Sequence, residues 1–209
     1  MRPSVSVLIA SHRSRLLPNA LQSVWNQTLS KGEVQLLVNF CEHPSNFLTA
    51  WNELALIATG KYLCILGDDD TFEPTYLAEC MERLDLTQAQ IAYSNVRIKD
   101  AHGKTLGTYV PPIDVTLESM REGNKIWASS LVSREMWMDV GGYDMTNPYV
   151  HDYDFWVRCL QHGARTVYVP YIGWNYTEHD YQRITTSVDR HYAMQLFDEK
   201  HPGFRLHKS

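Results

Sequence analysis

The stretch Tyr62-Leu63-Cys64-Ile65-Leu66-Gly67-Asp68-Asp69-Asp70 sets an apolar run directly against three consecutive carboxylates. Such a run, closed by glycine, reads as a buried strand, and in open α/β sheets ligands sit outside the carboxyl ends of strands. The acidic triplet is therefore expected at a ligand crevice. Adjacent like charges repel unless water or a cation absorbs them, and Mg2+, Mn2+ and Ca2+ take oxygen ligands of this kind. The residues alone leave two readings open, a divalent-cation site and a solvated acidic turn.

What precedes this strand sets the fold class. Ser4 to Ala10 is β-branched and apolar enough for a first buried strand, and Ser11-His12-Arg13-Ser14 follows as a polar loop expected to face the crevice. Leu17, Ala20, Leu21, Val24 and Trp25 fall at helical spacing, with Pro18 suited to a first turn. Val34 to Phe40 is a second strand, and Phe47, Ala50, Trp51, Leu54, Ala55 and Ala58 repeat the helical period before Gly60 ends it. Three strands separated by two helices make two βαβ units, which wind right-handed into a parallel sheet. The expected class is α/β, with a mostly parallel central sheet flanked by helices.

Downstream, Pro74 can open a helix running to Leu84, Gln90 to Ile98 reads as a strand, and residues 100–104 turn into a further strand from Thr105 to Val110. Residues 111–126 carry no usable period and are expected as a mobile loop. Ile126 to Val132 reads as a strand, and Ser133 is placed to cap a short helix bearing Met136, Trp137 and Val140, stopped by Gly141-Gly142. Tyr153, Trp156, Val157 and Leu160 form one apolar stripe. Arg165 to Val169 is expected as the last strand, and Ser187 to about Lys200 as a C-terminal helix.

The chain has 209 residues, 44% hydrophobic and 21% charged, which is enough for one substantial core and argues against extensive disorder. A net charge of −5 with no basic stripe disfavours nucleic acid as a partner. The four cysteines form no C-x-x-C pair and are read as reduced and structural. No stretch is long and apolar enough for a transmembrane segment, and no apolar leader with a cleavage site precedes the first strand, so a cytoplasmic location is expected.

Two blocks of residues together resemble the inverting glycosyltransferases of family 2. Val5-Ser6-Val7-Leu8-Ile9-Ala10-Ser11-His12-Arg13 and Ala20-Leu21-Gln22-Ser23-Val24-Trp25-Asn26-Gln27-Thr28 are similar to the family's first strand and helix. Gly60-Lys61-Tyr62 through Asp70 resembles its "G.Y" strand and Asp-x-Asp motif. Val140-Gly141-Gly142-Tyr143-Asp144 with His151-Asp152-Tyr153-Asp154-Phe155-Trp156-Val157-Arg158 resembles its "vGGfde...EDydlwlR" block, which carries the catalytic base.

The resemblance implies a single GT-A, Rossmann-like domain: a nucleotide-sugar half at 1–98, an acceptor half at 99–186, and a helix and tail at 187–209. It implies transfer of a sugar, with inversion, from a nucleotide-diphosphate donor to a hydroxyl of a glycan or glycan precursor, assisted by Mn2+ or Mg2+. Asp152 matches the base; as read from its residues it is equally suited to capping the following helix. Ala10, Ser11, His12, Arg13, Asn39, Asn52, Asp68 and Asp69 are the implied donor contacts. Asp70, Asp69 and His179 are the implied metal ligands, and His151, Tyr149 and Trp174 are assigned to the acceptor.

Three departures from the family pattern stand out. Gly67 occupies a position where an acid is common, Asn39-Phe40 replaces an acidic pair, and Trp51 replaces the arginine of an "aRN" element. These keep two further readings open: a glycan- or nucleotide-binding module without transfer, and a nucleotidyltransferase built on a similar sheet.

Overall fold

The computed structural model describes residues 3–12, 15–30, 32–43, 46–178 and 190–206. The first half follows the expected alternation: β1 (Val5–Ser11), α1 (Leu17–Trp25), β2 (Val34–Phe40), α2 (Phe47–Ile57) and β3 (Tyr62–Ile65). Then come β4 (Thr71–Phe72), α3 (Tyr76–Thr87), β5 (Ile91–Asp100), β6 (Thr105–Tyr109), α4 (Leu117–Met120), β7 (Leu131–Ser133), α5 (Arg134–Asp139), α6 (His151–Gln161), β8 (Thr166–Glu178) and α7 (Arg190–Lys200).

These elements build one α/β sheet in the order β2-β1-β3-β7-β5-β8-β4, with β6 on β5. The mostly parallel sheet expected from the sequence is corrected here. Only β1 with β2, β1 with β3, and β5 with β8 run parallel; β3 with β7, β5 with β7, β5 with β6, and β4 with β8 are antiparallel. The physical reason lies in the connections. Parallel neighbours need a crossover such as α1 or α2, whereas β5 and β6 are joined by a tight turn that forces reversal. A hydrophobic run announces a strand but not its direction.

Alternation along β1 sorts the core onto the two faces of the sheet. Val5, Val7 and Ile9 pack with Leu17, Ala20 and Val24 of α1 and with Tyr76, Leu77, Cys80 and Leu84 of α3. Leu8 and Ala10 face Leu48, Trp51, Leu54 and Ala55 of α2 and the cluster containing Phe155 and Trp156 of α6. Two expectations shift in length. β7 is three residues long, and β8 runs thirteen residues, through a stretch whose polar and aromatic mixture reads as loop. Its pairing with β5 slips between Ser94 and Val96, so β8 is irregular between Val169 and Trp174, ahead of the stretch that carries Thr177.

Candidate active site

β3 ends at Ile65, and the chain turns back at once, with the Asp70 amide donating to the Gly67 carbonyl at 3.2 Å. Asp68 is only 1% exposed and is braced by the end of β1: Ser11 Oγ donates to its Oδ2 at 2.9 Å and the His12 amide to the same oxygen at 3.2 Å. Asp70, 6% exposed, accepts from the Thr177 amide on Oδ1 at 2.8 Å, and the Thr177 hydroxyl donates to the Asp69 carbonyl at 2.5 Å. Thr177 of β8 therefore holds the far side of the turn.

Gly67 explains how the remaining carboxylate atoms meet. A Cβ at this position would lie 2.9 Å from Asp69 Oδ1 and 2.9 Å from Asp70 Oδ2. Two carboxylate oxygens thus converge on the space that a larger residue would fill. Among the described residues no group of three or more His, Cys, Asp and Glu side chains is arranged for a metal ion. Two carboxylates still fit a hard cation that takes its other ligands from substrate phosphates and water, as Mg2+ commonly does. His179 and Arg13 lie outside the described residues.

The second half of the site starts from the Gly141-Gly142 turn. Gly142 has φ +70°, and a Cβ there would lie 2.5 Å from Asn52 Oδ1, so both backbone and space demand glycine. Asn52 clamps the next residue, donating to the Tyr143 carbonyl at 2.8 Å and accepting from its amide at 2.9 Å. Arg158 of α6 donates to the Val140 and Gly142 carbonyls at 2.6 and 2.7 Å, which locks the turn to that helix.

Asp152 lies inside the first turn of α6, whose cap position is Val150, so the capping role is not the one it plays. An acid there is favoured by the helix dipole. Its Oδ1 accepts from the Tyr153 amide at 2.8 Å and its Oδ2 from Asn124 Nδ2 at 2.9 Å. His151 beside it contacts the Pro148 carbonyl through Nδ1 at 2.8 Å; a carbonyl only accepts, so Nδ1 carries the proton. Its ring packs against Trp51 at 5.8 Å and Tyr143 at 4.9 Å. Burial, then the charge of Asp152, push the Tyr143 hydroxyl well above its ordinary range.

One short segment links the two sets of residues. From Asn124 at Asp152 the chain runs three residues to Trp127, at most about 11 Å of extended backbone. Trp127 meets Tyr176 edge-on at 5.3 Å, and the next residue, Thr177, bonds the triplet. The segment that holds the base candidate therefore leads to the strand that holds the acidic turn.

Several expected contacts are placed otherwise. Trp174 is 2% exposed, because alternation along β8 turns it into the core beside Phe72 and Trp127, so it does not face an acceptor. Asn52 spends its amide on Tyr143, and the half of the site it serves is the Gly-Gly turn. Asn39 reaches Glu53 at 3.5 Å, Ala10 is buried, and His12 contacts the Cys41 carbonyl at 3.2 Å. Tyr149 is half-buried in a 3-10 turn, Pro148–Val150, that leads into α6. Asn124 and Thr177 were invisible to pattern reading: neither sits in a motif, and both act through contacts distant in sequence.

Residues 35–126 match the family model described as Glycosyl transferase family 2, a span that includes the acidic triplet and stops before Asp152. No curated protein matches the chain. The fold is similar to that of Staphylococcus aureus TarS. The 1–349 form in complex with UDP-GlcNAc superposes with TM-score 0.71 at 13% identity, covering 98% of this chain and 68% of that one. The same form crystallised alone gives 0.67 at 14%, covering 83% and 60%, and a longer TarS chain gives 0.68 at 13%, covering 97% and 44%. This chain thus spans three-fifths of the shorter form and under half of the longer. The family model matches under half of the chain and the TarS structures share its fold, so the chain is similar to glycosyl transferase family 2 over residues 35–126.

Proposed function

We propose that the chain transfers a sugar, with inversion, from a nucleotide-diphosphate donor to a hydroxyl of a glycan or glycan precursor. The observation that carries this reading is the convergence of two carboxylates over Gly67 at the end of β3, and we take the doubly held Asp152 as its partner in one site. In a single displacement the acceptor oxygen bonds to the anomeric carbon as the carbon–phosphate oxygen bond breaks, and the acceptor's proton passes to Asp152. Asp69 and Asp70 would hold a divalent cation, Mn2+ or Mg2+, which when bound neutralises charge developing on the departing diphosphate. Ser11 and His12 fix Asp68, and with it the turn that presents the pair.

The family match over residues 35–126 and the fold shared with TarS, solved in complex with UDP-GlcNAc, support a nucleotide-sugar donor for this chain. The four free cysteines suit a reducing compartment, and we place the protein in the cytoplasm. Asp152→Asn tests the assignment: transfer is expected to fall by about 10²- to 10⁴-fold, the usual worth of a general base, while donor affinity holds. Loss of donor binding instead would make Asp152 a structural residue.

One observation favours a second reading, a binding module without transfer. Asn52 is committed to backbone and Trp51 to the core, which removes two groups from the donor side. Donor binding with no turnover across UDP-, GDP- and dTDP-sugars would decide for it.

A further inference from the structure

Asn124 lies between α4 and β7, in the stretch where the sequence shows no period, yet it grips the carboxylate at the centre of the proposed chemistry. Its orientation is fixed. Oδ1 accepts from the Ile126 amide at 3.2 Å, so the nitrogen is the atom turned to Asp152, where it donates to Oδ2 at 2.9 Å. Because the Tyr153 amide holds Oδ1 of Asp152 at 2.8 Å, the carboxylate is fastened at both oxygens by two separate segments.

The segment bearing Asn124 is itself anchored on each side. Before it, α4 opens with a capping box between Thr116 and Ser119, and Met120 is fully buried with its carbonyl accepting from Tyr153 Oη at 2.5 Å. After it, the Lys125 amide donates to Met120 Sδ at 3.4 Å, the Lys125 carbonyl accepts from Tyr109 Oη at 3.2 Å, and Ile126 is fully buried. Gly123 immediately upstream takes φ +133°, a conformation that favours glycine and sets the direction in which Asn124 leaves the helix.

The chemistry of the contact is suited to a base. A base must be ionised and must offer one lone pair to the acceptor hydroxyl in a fixed direction. A neutral amide donor stops the carboxylate rotating and leaves a lone pair directed outwards, without setting a full positive charge against it. The neighbouring ammonium is drawn elsewhere: Lys125 Nζ lies 3.5 Å from Glu122.

We propose that Asn124 is the positioning residue of Asp152, setting the angle of the carboxylate without touching substrate. The proposal rests on reading Asp152 as the base, and its test is built to separate the two. Asn124→Ala is expected to lower kcat by about 10²-fold, the cost of misplacing a reacting group by about 1 Å, with KM for the donor within about threefold. Asn124→Asp, nearly isosteric, sets a second carboxylate against Asp152; the pair then shares a proton, and the acid limb of the kcat profile moves to higher pH.

The other titratable groups around Asp152 are the buried Tyr143 hydroxyl, His151 beside it, and Lys125 with its Glu122 partner, and all are unchanged in that variant. One readout needs no turnover: the melting temperature of Asn124→Asp should fall increasingly below that of the wild type as pH rises from about 4 to about 8, because a carboxylate with a raised folded pKa loses stability as it ionises. If Asn124→Ala fails to fold, Asn124→Ser and Asn124→Asp carry the kinetic comparison. Variants with kcat within about threefold of wild type would overturn the positioning role. A melting difference that is flat with pH would overturn the contact itself. A wild type without turnover would overturn the transferase reading while leaving the melting comparison to judge Asn124.

Discussion

Gly67 shows how one absent side chain shapes the acidic turn. Set against the family pattern, it looks like the loss of an acid, and in the structure it is the space into which Asp69 and Asp70 turn their oxygens. Gly67→Ala would push a methyl group to 2.9 Å from both. Carboxylate ends are flexible enough to move aside, so the fold should survive while the two carboxylates proposed to hold a cation separate. The gain in nucleotide affinity on adding Mn2+, measured by calorimetry, is expected to drop by about tenfold. An unchanged gain would remove these two residues from the metal assignment. At this scale the sequence displayed the carboxylates and the His151-Asp152 block, because those residue types in a run are costly to place. It concealed Asn124, Thr177 and the engagement of Asn52, whose roles depend on partners from 28 to 108 positions away.

Helix α6 carries the base candidate, and a buried carboxylate fastens it to the C-terminal segment. Asp154, 3% exposed, meets Arg158 at 2.7 Å on its own helix, and Lys200 and His201 of the C-terminal segment at 2.7 and 2.9 Å. Burial alone would raise this carboxyl, but hydrogen bonds from His201 and Lys200 and the charge of Arg158 outweigh it and hold the group well below the usual range. Asp154→Asn leaves Arg158 and Lys200 without their counter-charge and is expected to cost about 3–5 kcal/mol by chemical denaturation. Because the folded pKa is depressed, the stability it confers is present at neutral pH and lost as pH falls below about 4, through the unfolded value towards the folded one. The advantage of the wild type over Asp154→Asn should therefore shrink in acid, and a constant difference would contradict the ion cluster.

Element by element, helices with a clear apolar stripe were legible: α1, α2, α3 and α5 fall within a few residues of their predicted spans, and Ser133 caps α5 through the Met136 amide at 3.2 Å as its position suggests. β8 was half hidden, since its outer part is built from polar and aromatic residues that pair with β5 and β4 rather than from a hydrophobic run. Short α4 was hidden altogether, because four residues hold too little of a helical period to read.

Across the whole molecule, the first three strands form a parallel unit whose carboxyl ends carry Ser11 and the acidic turn, and an antiparallel strand, β7, joins it to β5 and β8. This mixed sheet brings Thr177, from the far end of β8, back onto Asp69 and Asp70, while Asn124 meets Asp152 at the start of α6. A wholly parallel sheet, as the alternation of the first half suggests, would require a crossover helix before each strand. Strand direction is set by connections and long-range pairing, which local periodicity does not encode.

The central claim is that these two sets of residues form one transfer site, and turnover of nucleotide sugars by the wild type beside Asp152→Asn tests it most directly. With UDP-, GDP- and dTDP-sugars and Mn2+, the account predicts release of nucleoside diphosphate by the wild type from at least one donor, and binding of that same donor by Asp152→Asn with turnover reduced by about 10²-fold or more. Equal turnover by the two proteins, or none by the wild type on any donor, would contradict it.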